Sequence, residues 1–469
     1  MKRLLSLLLA VLFVTALVPA VVSGEESLFD GGRGTHHDPY RIATVEQLTA
    51  LARSVNDGTA YEGVCFRLDA DIVLNDTTGW EDWKTNPPAN DWEPIGTGEA
   101  PFKGCFNGNG HTISGLYVSD TNYGNSGLFG YVQNAIIADV TVAGAYHTDG
   151  HTIGGIVGVA DASRVLNCRH TGKQWVNGIY NRAGGIVGYA CNGTVVAGCE
   201  SDGAIEALGD DVYLGGIVGQ SENATIEDCR SDTDIHGESI MIIAGVNAGG
   251  IVGNARSTDI RRCGNTATLT TFDDDQSNND TVGGIVGTAV YVTIEDCYHL
   301  GTLGSEGNVA GIVAWLCEST VRASYSASSV ASGYSKLGGI TSFAFEKGTV
   351  VVDCYYQSGV AVDTYGTALT AAQMQDSDCY AGFDFESVWV MDATVSAYPT
   401  LGTPETDDTL VGDADGNHAI NMMDVMQVYA VVSGQAAVVE SARAATDVNR
   451  DGQLNMQDVM VLYSLVSGQ

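Results

Sequence analysis

The stretch G-G-I-V-G-Q-S-E-N-A-T-I-E-D-C, Gly215 to Cys229, decides the fold. Glycine and β-branched residues open it. Asn223 punctuates it, and Ala224 to Asp228 alternate small or apolar residues with polar ones before Cys229. That is short strand and tight turn, with no room for a helix. The G-G-I-V-G frame also begins at Gly154, Gly184, Gly249 and Gly283, with degenerate copies from Ser126, Ala310 and Gly338. Successive starts lie 28, 30, 31, 34, 34, 27 and 28 residues apart. A second mark, Cys168, Cys199, Cys229, Cys263, Cys297 and Cys354, follows its frame start by 14 to 16 residues, and Ser324 takes that place in the Ala310 copy.

A unit this small cannot bury its own apolar face, so it must stack on its neighbours. Stacked coils of short strands make a right-handed β-solenoid (β-helix) of ~30-residue repeats. The frame Ile and Val form an internal ladder. The glycines are expected to supply positive φ at the corners and to allow close approach between coils. The column cysteines read as buried thiols acting as small hydrophobes, because parallel side chains on adjacent rungs are poorly disposed for a disulfide.

The whole chain fits a stacked, acidic molecule. It has 59 Gly and only 8 Pro among 469 residues. Its net charge of −36 argues against a nucleic-acid binder and against docking on anionic lipid. Lys2 and Arg3, the apolar run Leu4 to Val18, and the breaker Pro19 read as a signal peptide over 1–24, cleaved near Ala20 to Gly24. The mature protein is therefore expected to be secreted, with no membrane insertion.

Residues 25–124 read as an N-terminal cap and lead-in coils. Thr44-Val45-Glu46-Gln47 is a capping box opening an amphipathic helix to about Val55. His36 and His37 read as part of an opening turn rather than as metal ligands. The solenoid with its C-terminal cap occupies 125–402, where Thr370 to Tyr380 reads as a short helix and Val388 to Val390 as a final strand. The repeats from about Gly124 to Tyr356 resemble the GLUG-motif repeats of bacterial secreted and surface proteins. That resemblance implies a β-helix-like fold and adhesive or surface roles.

Beyond a linker at 403–410 the composition changes. A unit duplicated at an offset of 34 residues runs D-A-D-G-N-H-A-I-N-M-M-D from Asp413 and D-V-N-R-D-G-Q-L-N-M-Q-D from Asp447, each followed by a matching helix. Calcium takes six to eight hard oxygens, and positions 1, 3, 5, 7, 9 and 12 of such a loop converge. The ligands are then Asp413, Asp415, Asn417, the Ala419 carbonyl, Asn421 and Asp424 for one Ca2+. For a second they are Asp447, Asn449, Asp451, the Gln453 carbonyl, Asn455 and Asp458. Gly452 allows the sharp turn of the second loop, while His418 stands at that place in the first.

Residues 411–469 resemble a type I dockerin across their whole length. The resemblance implies a small all-α calcium module that binds a cohesin module on a scaffold protein. It places recognition on Met422, Met423, Tyr429, Met456, Gln457 and Tyr463. The two copies match closely enough that either face could dock, related by a pseudo-twofold. The chain is then expected to be extracellular and associated with a cell surface through the scaffold. The solenoid would be presented for adhesion, with an extracellular glycan or a host or bacterial surface protein as partner.

A dockerin-borne β-helix lyase or glycoside hydrolase is the rival reading. Asp228, Asp296 and Asp353 precede column cysteines and are expected to point outward as a solvated acidic face. Basic residues are few, no G-x-S-x-G elbow occurs, and Trp175, Tyr291, Tyr298 and Trp315, expected to be exposed, form no repeating stripe. No catalytic residue is assigned.

Overall fold

The computed structural model describes residues 28–119, 124–149, 152–240, 245–273, 279–332, 334, 337–345, 347–359, 365–402, 414, 422–433, 446, 448 and 454–467. The signal-peptide segment, the 403–410 linker and most of both acidic loops fall outside them.

The chain is mainly β, a β-solenoid followed by a helical C-terminal region. Each coil visits three parallel sheets in turn. The Gly215 coil runs through Val212–Gly215 in a seven-stranded sheet, Val218–Glu227 in a seventeen-stranded sheet and Arg230–Ser239 in a fourteen-stranded sheet. Register is kept from coil to coil: Gly154, Gly184, Gly215, Gly249 and Gly283 pair successively. The single antiparallel strand pair among the described residues joins Trp389–Val390 to Thr400–Leu401.

Ile156, Ile186, Ile217, Ile251, Ile285, Ile312 and Ile340 are fully buried, as are the Val residues that follow the first six of them. This ladder is the axis of the core. Burying each such side chain contributes roughly 1.5–3 kcal/mol, which a single coil could not collect alone.

The frame glycines are explained by space and not by backbone twist. None of them has a positive φ. A Cβ on Gly215 would lie 1.9 Å from the Val218 carbonyl oxygen. One on Gly216 would lie 2.1 Å from Ser231 Oγ and 2.2 Å from the Gly250 carbonyl oxygen. The positive-φ corners fall instead on the residue before the column position: Asp139, Asn167, Gly198, Asp228, Arg262, Asp296, Ala323 and Asp353, with φ between 46° and 64°. Asn and Asp tolerate this region better than most residues. These aspartates are thus corner residues first, which the alternation pattern alone did not show.

The column cysteines are buried. Each donates its S–H to the carbonyl two residues back, at 3.2 Å for Cys168, Cys229, Cys263, Cys297 and Cys354. Burial pushes the Cys168, Cys229 and Cys297 thiols well above the usual range.

Both ends of the solenoid are covered. The Val45–Asn56 helix packs Leu48, Leu51, Ala52 and Val55 against the first coils. Thr44 Oγ1 accepts from the Gln47 amide, and Gln47 Oε1 accepts from the Ala43 amide at 2.7 Å. At the other end Met374, Tyr380, Trp389 and Leu401 close over Tyr298, Tyr325 and Tyr355. The expected helix over 370–380 is two 3-10 turns, Gln373–Gln375 and Ser377–Cys379, separated by extended Asp376. Asp376 ends one turn and caps the next, accepting from the Asp378 amide. That spacing leaves no run of four helical bonds.

Candidate functional site

The described residues of the C-terminal region form two helices, Met422–Val432 and Met456–Ser467. Val425, Val428, Val459 and Leu462 meet in a small core with Ala414, and Leu454 packs beside it. Of the expected calcium ligands, Asp424, Asn455 and Asp458 are described. Asp424 and Asp458 are fully buried carboxylates at the starts of the two helices. Asp458 accepts from the Asn455 amide at 2.8 Å, which ties the end of the second loop to its helix. Buried carboxylate oxygens are the hard donor type that calcium takes. Asp413, Asp415, Asn417, Ala419, Asn421, Asp447, Asn449, Asp451 and Gln453 lie outside the described residues.

Of the expected contact residues, Tyr429, Met456 and Tyr463 are about half exposed, and Gln457 is exposed. The side chains of Met422 and Met423 lie outside the description. The sequence reading passed over Met426 and Met460, at 60% and 67% exposure the most open apolar side chains among the described ones of these helices. The signal was present: Met426 and Tyr429, Met460 and Tyr463 repeat at the same offset of 34. At i and i+3 they share one helix face.

On the solenoid, two aromatic expectations are corrected. Trp175 and Tyr298 are buried, Trp175 against Trp83 and Tyr117, Tyr298 under the C-terminal cap. An open aromatic cluster lies elsewhere. Trp315, Phe343 and Phe345 have ring centroids 4.5 to 5.8 Å apart, and the two Phe are 40% and 45% exposed. Phe343 and Phe345 lie outside the repeat frames, which hid them.

The carboxylates expected to form an outward acidic face do so unevenly. Arg262 Nε donates to Asp228 Oδ1 at 2.7 Å, and Arg262 also pairs with Glu227 at 3.1 Å. Trp389 Nε1 donates to Asp296 Oδ1 at 3.1 Å, and burial raises the Asp296 pKa despite that bond. Asp296 therefore anchors the cap and is half-buried beneath it.

Another carboxylate sits on the seventeen-stranded sheet. Asn192 Nδ2 donates to Asp161 at 2.7 Å, Gln133 Nε2 at 2.9 Å and Tyr131 Oη at 3.2 Å. Burial raises its pKa, and these three donors outweigh the burial, so the carboxyl is held below its ordinary value. An anion so satisfied holds the surface together and is a poor proton donor.

Two clefts of about 260 Å3 open on the outer face of the fourteen-stranded sheet. One lies between Trp80 and Trp83 and a floor that includes Gly144 and Gly172. The other lies among Arg169, Glu200, Asp202, Arg230 and Tyr298. A third, of about 210 Å3, holds His36, His37, Cys65 and Cys105 near the N-terminal cap.

Among solved structures, a protein described as an immunoglobulin A1 protease from Bacteroides ovatus is 20% identical and superposes with a TM-score of 0.46 over 81% of this chain and 96% of that one. A second, described as IgA1 Protease, is 14% identical, with a TM-score of 0.40 over 70% of this chain and 22% of that one. Among curated proteins, a Gly-rich membrane protein of Evansella cellulosilytica is 33% identical over 155 residues, 32% of this chain and 17% of its own length. Halomucin of Haloquadratum walsbyi is 32% identical over 163 residues, 34% of this chain and 2% of its own length. The chain thus spans a small fraction of these relatives. No helix among the described residues is long and apolar enough to cross a membrane. Residues 411–466 match the Dockerin type I domain, a calcium-binding module, so the chain carries a dockerin in that segment.

Proposed function

We propose that the protein is a secreted component that docks through its dockerin onto a cohesin-bearing scaffold and presents a noncatalytic solenoid for adhesion or binding. The observation that carries docking is the 411–466 match together with the duplicated loop and helix. When bound, calcium supplies the charge that draws each loop onto its helix start. Asp424 and Asp458 would hold it from the helix side and Asn455 from the loop side. The remaining ligands would come from the two acidic loops, two ions in all. Met422, Met423, Tyr429, Met456, Gln457 and Tyr463 would meet the cohesin, joined by Met426 and Met460. The coil repeat would be of the GLUG type, and the scaffold would hold the chain at a cell surface.

The noncatalytic reading of the solenoid is supported by its carboxylates. Asp161 is held ionised by three donors, Asp228 is paired with Arg262, and Asp296 is beneath the cap. The test is incubation of the full chain with a panel of polysaccharides. No new reducing ends and no unsaturated products are expected. Either product would establish the enzyme reading instead.

A further inference from the structure

The outer face of the fourteen-stranded sheet carries two neighbouring clefts, meeting at the Arg169–Asn177 strand, that docking does not use. The segment between Ile72–Val73 and Cys105–Asn107 leaves the coil and folds back over this sheet. Asn75 and Asn90 hold it there: Asn75 Nδ2 donates to the Gly115 and Asn90 carbonyls at 2.8 Å, and the Asn90 amide donates to Asn75 Oδ1 at 3.1 Å. The segment thereby stands Trp80 and Trp83 over Gly144 and Gly172, with Ser114 and Thr171 beside them. Trp83 is buried on Tyr117, with ring centroids 5.7 Å apart, while Trp80 stays partly open. Indole thus walls a floor whose glycines present no side chain.

The floor continues along the solenoid axis. Thr171 is in register with Asp202, and Asp202 with Asp232. Arg169, in the same second cleft as these carboxylates, lies 3.9 Å from both Glu200 and Asp202. From Thr112–Val118 to Tyr298–His299 seven strands lie side by side. At ~4.8 Å per strand these seven strands span about 29 Å, and the two clefts together form a trough.

We propose that this trough binds a single strand of neutral polysaccharide, with Trp80 stacking on the C–H face of one pyranose ring. The proposal rests on the reading of the solenoid as a binding module and names its ligand class and site. A sugar ring has an apolar face for indole and a rim of hydroxyls for hydroxyl and carboxylate partners. The rungs step at nearly the spacing of sugar units in an extended chain, so equivalent contacts can recur. Charge selects against an acidic glycan. Glu200, Asp202 and Asp232 outnumber Arg169 and Arg230 in the second cleft, with Asp234 exposed on the same strand as Asp232, and like charges in a groove disfavour a polyuronate.

The test is affinity electrophoresis of the full chain through gels containing hydroxyethyl cellulose, arabinoxylan, galactomannan or polygalacturonate. Retardation by at least one neutral polymer is expected, with none by polygalacturonate. Trp80→Ala should weaken that binding at least tenfold while the chain keeps a cooperative melting transition, and Trp80→Phe should restore part of it. Passage through all three neutral gels, retardation by polygalacturonate, or undiminished binding in Trp80→Ala would overturn the proposal. If Phe343→Ala with Phe345→Ala removes the retardation and Trp80→Ala does not, the solenoid binds glycan elsewhere and only this site fails. Release of reducing ends with binding still dependent on Trp80 would overturn the noncatalytic reading and leave this site standing.

Discussion

Gly216 shows how one atom sets the coil. Its missing Cβ leaves room for Ser231 Oγ and for the next coil's Gly250 carbonyl. The same place is taken by His170 against Gly155, Asn265 against Gly250 and His299 against Gly284. Gly216→Ala should therefore cost about 3 kcal/mol of unfolding free energy, since backbone cannot yield cheaply. Gly193→Ala is the control: a Cβ there meets nothing within 4 Å, and only the positive φ of 87° is strained, at about 1 kcal/mol. Urea titration of both variants measures the difference. A second residue-scale expectation concerns Ala323, a corner with φ of 46° and a Cβ. Ala323→Gly relieves that strain but loses a buried methyl and frees the unfolded chain, so stability should shift by no more than about 0.5 kcal/mol.

At the scale of elements, the caps hold the ends of the solenoid. Trp389 stacks on Phe383 at 4.7 Å, meets Tyr325 at 5.7 Å and bonds Asp296. Trp389→Ala should cost about 3–5 kcal/mol, read by urea unfolding, and should open the cap first to limited proteolysis. The helix Val45–Asn56 was legible because its capping box is local. The coil was legible because Gly215 to Cys229 repeats, and repetition turns a weak strand signal into a strong one. The trough was not legible. Trp80 and Trp83 are separated in sequence from Gly144 and Gly172, and only the stacking of coils brings them together. The role of the frame glycines was half legible. Close approach followed from the sequence, but most corners went to Asp or Asn, with Gly198, Arg262 and Ala323 at the others, because a side chain can occupy a corner and cannot occupy Gly216.

For the whole molecule, pH and calcium address different parts. His170 and His299 are fully buried and neutral, burial pushing their pKa down to about 4 and about 3. Unfolded, each titrates near the ordinary histidine value of about 6.5. The unfolded chain thus binds more protons below that pH, and the solenoid loses stability as pH falls from about 6.5 toward 4. The slope is up to about 1.4 kcal/mol per pH unit for each histidine. Asp296, with its raised pKa, opposes this in part. His299→Asn should remove close to half the slope in urea midpoints taken between pH 7.5 and 4.5, and an unchanged slope would contradict the assignment.

The dockerin responds to metal instead. Its central test is calorimetric titration of the full chain with type I cohesins, in calcium and again in excess chelator. Saturable binding to a cohesin in calcium, abolished by chelator and restored by added calcium, is the predicted result. Binding that persists undiminished in chelator, or no binding to any type I cohesin in calcium, would contradict the account.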